Sequence, residues 1–144
     1  MRNDETGVYV CEDAVFATVM MSSPLAWMEM QGLESQTVKE MSSLIAKWKL
    51  ERDRMHTGTT FPVGEKPDGF SWTGFVTEAA DGNGGYALLF RECNASFDFE
   101  IDLKPYVNAS TAEVIAGNGA AKINGGKLTI TIPEKLDYLW LKLK

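Results

Sequence analysis

Residues 61–75 read F-P-V-G-E-K-P-D-G-F-S-W-T-G-F, a stretch in which two prolines and three glycines hold two aromatic clusters at a fixed separation. Proline restricts φ and glycine opens positive φ, so these residues specify a defined bent path rather than a flexible tether. Within the stretch, Asp68-Gly69 is typical of a tight turn. The stretch predicts a hinge between a helical N-terminal part of the chain and a strand-rich C-terminal part.

Beyond the hinge, the apolar period falls from about 3.6 residues to about 2, which is typical of strands. Residues 71–78 alternate in this way, D-G-N-G-G at 81–85 predicts a hairpin turn, and residues 86–91 are expected to form the return strand. The pattern continues at about 97–103, 112–116, 120–123, 127–132 and 138–143. It predicts an antiparallel β-sandwich of about seven or eight strands.

Three carboxylates, Asp98, Glu100 and Asp102, alternate with apolar residues in the strand at 97–103. This pattern is typical of a strand with one solvent face, and it favours a solvated surface over a catalytic or calcium site. An independent hydrolase that uses Glu100 or Asp102 together with His56, the single histidine, is the weakest hypothesis. Retaining glycosidases need two carboxyl groups about 5 to 5.5 Å apart in a pocket, and an open strand does not provide them.

Before the hinge, residues 35–55 combine an apolar stripe with a charged opposite side, which predicts an amphipathic helix facing the core. Ser35 or Thr37 is the expected N-cap, because Thr37 and Glu40 have the spacing of a capping box. With a helical front and a strand-rich back, the predicted class is mainly β with an α-helical N-terminal segment. The apolar stripe comprises Val38, Met41, Leu44, Ile45 and Trp48.

Residues 8–33 carry more apolar surface than a segment standing alone would. Such a run is either a strand buried on both faces or a core helix, and periodicity does not choose between them. Pro24 disfavours helical geometry at Ser23, so the run is expected to break there and to restart through Trp27.

Composition narrows the classes of function. The chain has 144 residues, 44% of them hydrophobic, and a formal net charge of −6, which indicates a folded domain and argues against a nucleic-acid partner. No run approaches a membrane span and residues 1–6 lack a signal-peptide core, so neither a membrane partner nor a targeting segment is expected. Cys11 and Cys93 lie far apart without metal-ligand spacing, which predicts free thiols and no metal site. No cofactor motif is recognised, because no helix follows the G-N-G at 117–119.

Three segments carry a resemblance to a known family. They are S-P-L-A-W-M-E at 23–29, the stretch at 61–75, and G-Y-A-L-L-F-R-E at 85–92. Together they resemble the C-terminal end of the alpha-galactosidase (melibiase) clan of glycoside hydrolases. In that family a barrel of parallel strands and helices carries the catalytic carboxylates, and a C-terminal antiparallel β-sandwich packs against the barrel. The likeness covers about residues 14–95, and the later strands fit by pattern only.

The resemblance implies a division of the chain at about residue 58. Residues 1–58 would hold the last barrel strand, at 14–21, and the last barrel helix, at 35–55, while residues 59–144 would form the sandwich. The catalytic aspartates of the family belong to earlier barrel strands, so no catalytic residue is transferred. The implied function is a non-catalytic accessory region whose partner is the catalytic barrel of the parent enzyme.

Two sets of residues are candidates for contact with sugar, in particular with galactosides. In a barrel, the loop at 23–29 would emerge on the catalytic face, where Trp27 is placed to line a subsite and Glu29 to bind a hydroxyl. The alternative function is a carbohydrate-binding module, in which exposed aromatic rings stack on pyranose rings. Its candidates are Trp72, Tyr86 and Trp140.

A final barrel strand without its neighbours must hide its apolar surface in another way. Residues 8–33 are therefore expected to fold as helix over the sandwich or to pair with a second copy of the chain.

Overall fold

The computed structural model describes residues 12–24 and 34–144. Within these residues two helices precede eight strands. This confirms the predicted class, mainly β with a helical N-terminal segment and an antiparallel, sandwich-like pair of sheets. The helices are α1 (Glu12–Ala17) and α2 (Ser35–His56). The strands are β1 (Thr59–Gly64), β2 (Trp72–Glu78), β3 (Gly85–Arg91), β4 (Asp98–Asp102), β5 (Ala112–Gly117), β6 (Ala120–Asn124), β7 (Lys127–Thr131) and β8 (Asp137–Leu143).

The strands form a larger sheet of order β1-β2-β3-β8-β5 and a smaller sheet of order β4-β7-β6. Every pairing is antiparallel. The last strand in sequence, β8, lies between β3 and β5, in register with β3 from Gly85 opposite Leu143 to Arg91 opposite Asp137. The C-terminal residues therefore stand inside the larger sheet rather than at its edge.

One hydrophobic core lies between the two sheets. Leu89 of β3 and Leu139 and Leu141 of β8 point into it and meet Leu128 and Ile130 of β7, all with no exposed surface. Burying this apolar surface is the main force that holds the sheets face to face.

A second core covers the opposite face of the larger sheet. The residues that alternate with the first set in β3 and β8 pack there against the two helices. Both faces of β3 and β8 are thus buried along most of their length, and the described residues form three layers: helices, larger sheet and smaller sheet. The strand residues of this second core are Tyr86, Leu88, Tyr138 and Trp140, and the helix residues include Ala14, Ala17, Leu44, Trp48 and Met55.

The barrel strand that the resemblance implied at 14–21 is not observed, because Glu12–Ala17 forms helix α1. The sequence left two alternatives for the apolar run at 8–33, a buried strand or a core helix. The part at 12–17 is a helix that faces the core. A helix satisfies its own backbone hydrogen bonds, whereas a lone strand leaves them unpaired. Ala17 and Met20 face the core, and the indole of Trp48 donates a hydrogen bond to the carbonyl oxygen of Met20 at 2.8 Å.

Helix α2 confirms the amphipathic helix predicted at 35–55. The predicted N-cap is wrong: the capping residue is Glu34, and its side chain makes no capping hydrogen bond. Thr37 lies inside the first turn and is buried, with 6% of its surface exposed, so it is part of the helix and not its cap.

The stretch at 61–75 forms a hairpin in which β1 pairs with β2. The prediction placed only a hinge before residue 71 and missed β1, whose Pro62 argues against a strand. Proline is accepted there because β1 is the edge strand of the sheet. The tight turn is confirmed, since Asp68 Oδ1 accepts hydrogen bonds from the backbone N–H groups of Phe70 at 2.9 Å and Ser71 at 2.8 Å.

The later strands begin and end within two residues of their predicted bounds. The expected solvent face of β4 is also confirmed, because Asp98, Glu100 and Asp102 are exposed while Ile101 is buried. Among the described residues, no helix is long and apolar enough to cross a membrane.

Candidate functional site

A cleft of about 430 Å³ opens beside α1, near the β1 edge of the larger sheet. Phe75 of β2 and Phe90 of β3 alternate with the core residues Val76 and Leu89, so the floor of the cleft is the face that also carries the helices. The described helices leave this part of the face uncovered. The apolar walls comprise Val15, Pro62, Pro67, Phe75, Phe90 and Leu136.

Three carboxylates, Glu65, Glu92 and Asp137, also line this opening, which we call the acidic cleft. Glu92 Oε1 accepts a hydrogen bond from the hydroxyl of Thr73 at 3.3 Å, and Asp137 Oδ1 accepts one from the backbone N–H of Tyr138 at 2.7 Å. None of the three forms an ion pair with a described lysine or arginine. The lining is therefore apolar and its uncompensated charge is negative.

The pKa of Asp137 lies above its ordinary value, mainly because the carboxyl group is buried. The negative charges of Asp13 and Glu134, which lie outside the cleft lining, raise it further by smaller amounts. The hydrogen bond from the backbone N–H of Tyr138 opposes these effects without reversing them. A positive charge brought into the cleft would favour the ionised form of Asp137.

Arg91 lines the cleft, but its guanidinium group is occupied elsewhere. The side chain is 5% exposed and donates hydrogen bonds to the carbonyl oxygens of Ile132 at 2.9 Å and Asn94 at 3.0 Å, as well as to that of Pro133. It joins the end of β3 to the loops that enter β4 and leave β7. Arg91 is thus a structural tie between the two sheets, and it forms no ion pair with a cleft carboxylate. Three carboxylates outnumber this single guanidinium in the lining, so the net charge of the cleft is negative.

A second polar cluster joins α2 to the larger sheet. Glu51 accepts hydrogen bonds from Lys142 Nζ at 2.8 Å and from the hydroxyl of Tyr86 at 2.7 Å. Although burial opposes ionisation, these hydrogen bonds hold the pKa of Glu51 below its ordinary value. Burial and the bond to Glu51 raise the pKa of the Tyr86 hydroxyl to about 12, despite the opposing Arg54, whose guanidinium lies 5.7 Å from the ring centroid.

We expect Glu51→Gln to lower the melting temperature at neutral pH and to have little effect near pH 3. Because the folded-state pKa of Glu51 lies below its ordinary value of 4.5, its carboxylate stabilises the fold above that pH. This contribution is lost as the pH falls through the folded-state pKa. The loss at pH 7 should be about 1–2 kcal/mol, as for hydrogen bonds to a charged group. Thermal unfolding of both proteins from pH 3 to pH 8 measures it.

The matched control is Glu100→Gln, which removes a glutamate–lysine pair of similar length. Glu100 lies 2.7 Å from Lys127, but both side chains are more than half exposed. Such a surface pair contributes about 0–1 kcal/mol. Equal effects of the two substitutions at pH 7 would contradict a specific role of Glu51.

The structure separates the residues that the sequence proposed for sugar contact. Trp27 and Glu29 lie outside the described residues. Tyr86 and Trp140 have no exposed surface, and Trp72 is 4% exposed and stacked on Phe99 with ring centroids 5.3 Å apart. A ring that stacks on a sugar needs an open face. Trp72, Tyr86 and Trp140 do not offer one, so no observation favours the carbohydrate-binding module.

The weakest hypothesis, a hydrolase built from His56 and Glu100 or Asp102, receives no support from the geometry. His56 stands at the end of α2, where its Nε2 lies 3.3 Å from the carbonyl oxygen of Met20 and its ring 5.8 Å from that of Trp48. Glu100 and Asp102 lie on β4, in the layer on the other side of the larger sheet. The described residues also contain no cluster of histidine, cysteine and carboxylate groups that would hold a metal ion.

Sequence reasoning did not find the acidic cleft. Its lining comes from α1, the hairpin at 61–75, the end of β3 and the loop before β8, which are distant in the chain. No local pattern in the sequence marks these residues as neighbours.

Comparisons with known proteins add no relative: no protein-family model, no curated protein and no solved structure matches this chain.

Proposed function

We propose that the chain is a non-catalytic C-terminal region of an alpha-galactosidase-like glycoside hydrolase, whose β-sandwich supports the catalytic barrel of the parent enzyme. The proposal rests on the resemblance of residues 23–29, 61–75 and 85–92 to that family. In this role the region contributes buried apolar surface to the enzyme and no reacting group.

The observation that carries the proposal is the arrangement of two of these segments. Residues 61–75 span β1, the turn and β2, and residues 85–92 contain β3, so the segments pair side by side in one sheet. They are joined by close packing at Gly74, where a Cβ would clash with the carbonyl oxygen of Leu88. The segments quoted for the likeness thus belong to one structural unit rather than to scattered matches.

The chemistry of the described residues supports an accessory role. On β4, Glu100 is paired with Lys127, and Asp98 Oδ1 accepts a hydrogen bond from the hydroxyl of Thr131 at 2.6 Å. These carboxylates are exposed on an open sheet and do not line a pocket that would hold a substrate. The sandwich and its helix layer contain two apolar cores, and a stably packed region of this kind is suited to support a neighbouring catalytic domain.

A chimera tests the proposal. In an alpha-galactosidase of the same clan, the region that follows the catalytic barrel is replaced by this whole chain. We expect the chimera to hydrolyse p-nitrophenyl α-galactoside and to melt cooperatively, whereas the chain alone should show no hydrolysis above buffer.

Two controls accompany the chimera. The same barrel carrying an immunoglobulin domain of similar size should be inactive, and the barrel with its own C-terminal region restored should be active. Hydrolysis by the chain alone would overturn the non-catalytic assignment. A chimera no better than the immunoglobulin fusion would overturn the assignment to this family.

A further inference from the structure

We propose that two copies of the chain form a weak two-fold dimer, in which an exposed ridge on α2 of one copy enters the acidic cleft of the other. The ridge comprises Ala46, Lys49 and Leu50, which share one side of α2 because they are three and four residues apart. This inference goes beyond the proposed function and does not depend on it, because it rests only on the cleft and the ridge.

The cleft requires an apolar occupant. Phe75 and Phe90 form part of its floor and are only half buried, while Val15 on its wall is 49% exposed. An uncovered apolar surface beside an otherwise buried sheet face marks a site of association.

The ridge supplies an apolar side chain of matching character. Leu50 is 84% exposed, more than any other large hydrophobic residue among those described. It lies in the C-terminal half of α2, on the exposed side of the helix, whereas Leu44 and Trp48 are buried on the side that faces the core. Because it is so exposed, Leu50 does not fill the cleft of its own copy.

Charge selects this ridge over the rest of the surface. The carboxylates of Glu65, Glu92 and Asp137 make the cleft negative, and a chain of net charge −6 presents few surfaces that such a cleft attracts. Lys49 stands next to Leu50, and its ammonium group forms no ion pair with a described carboxylate. The leucine matches the apolar lining of the cleft, and the lysine next to it matches the negative charge of the cleft carboxylates.

The layer arrangement makes the contact reciprocal. The ridge and the cleft both lie on the helix side of the larger sheet. When two copies face each other with their helix layers across a two-fold axis, the ridge of each copy can enter the cleft of the other. Such an interface is closed and stops at two copies. It also covers part of the apolar run at 8–33, through Val15 and Thr18 of the cleft wall. We expect a dissociation constant on the order of 10–100 µM, as for small interfaces.

Sedimentation equilibrium of the chain from micromolar to millimolar concentration tests the dimer. We expect the mass to rise from the monomer value of 15.9 kDa to twice that value. Leu50→Glu should raise the dissociation constant by roughly ten-fold or more, because it removes an apolar contact and adds a charge that the acidic cleft repels. Val15→Glu should have a similar effect for another reason: it replaces an apolar contact of the cleft wall by a carboxylate that must lose water when the ridge enters.

Two variants with the same change elsewhere are the controls. Val114→Glu acts on a valine of β5 that is 43% exposed, and Phe97→Glu on a phenylalanine before β4 that is 54% exposed. Both should leave the dissociation constant within about two-fold of the original, since neither residue lines the cleft. Circular dichroism checks that all four variants are folded.

Three results would overturn the proposal. They are a monomer at every concentration, a dimer that Leu50→Glu and Val15→Glu leave intact, and a dimer that the control variants weaken equally. The last two would place the interface on another surface.

Discussion

Replacing Trp140 by alanine should lower the free energy of unfolding by about 3–5 kcal/mol, the range for deleting a large aromatic side chain from a core. Trp140 has no exposed surface and lies on β8, between β3 and β5, in the core shared with α1 and α2. Its loss would leave a cavity beneath both helices. Because domains are stable by about 5–15 kcal/mol, the variant should unfold at much lower urea concentration.

Two further substitutions sharpen this experiment. The indole Nε1–H of Trp140 is buried and has no hydrogen-bond partner among the residues that the structure describes. Trp140→Phe removes this unpaired donor and keeps a ring, so it should cost less than half as much as Trp140→Ala. Phe97→Ala, at a side chain that is 54% exposed, should change stability by less than about 1 kcal/mol. An equal cost for Trp140→Ala and Phe97→Ala in urea titrations would show that the helix–sheet core does not stabilise the fold.

Replacing Arg91 by methionine should lower the free energy of unfolding by about 3 kcal/mol, because buried carbonyl oxygens would lose a charged donor and each unsatisfied group costs about 1–3 kcal/mol. The guanidinium satisfies the carbonyl oxygens of Asn94, Ile132 and Pro133, which the variant would leave without this donor. Methionine has a similar length and apolar stem, so the loss measures hydrogen bonding more than packing. Urea titration followed by tryptophan fluorescence gives the difference.

Lysine at this position is the informative comparison. Arg91→Lys keeps the charge, but a single ammonium group cannot reproduce the planar fork that reaches two loops at once, so most of the loss should remain. Arg52→Met is the exposed control, because Arg52 pairs with Asp53 at the surface, and it should cost less than about 1 kcal/mol. Full stability of Arg91→Lys would show that charge alone, rather than the geometry of the fork, holds the two loops.

The strands show what local sequence predicts well. The bounds of β2 to β8 follow from alternation between turn residues, because side chains of a strand point to opposite faces every second residue. The turn at Asp68 was predictable for the same local reason: its carboxylate accepts bonds from N–H groups two and three residues away. By contrast β1 was missed, since Pro62 is tolerated only at a sheet edge, and position in a sheet is not a local property.

The candidate site shows the opposite case. The sequence proposed Trp72, Tyr86 and Trp140 because each lies in an alternating strand. Alternation separates the two faces of a strand, but it does not say which face is exposed to solvent. Alternation correctly places Trp140 on one face of β8 and Leu139 and Leu141 on the other. It does not say that helices cover the face that carries Trp140. The cleft was equally hidden, because Val15 and Asp137 on its walls are more than a hundred residues apart in the chain.

The sequence by itself therefore determined strands β2 to β8, the amphipathic helix α2, the hairpin turns and the solvent face of β4, because each depends on residues within a few positions. Only the tertiary structure decided that the run at 14–21 begins as helix α1, that both faces of β3 and β8 are buried, and that a cleft with unpaired carboxylates remains beside α1. These features depend on which distant segments meet, and contact with a partner surface is what turns an exposed face into a core.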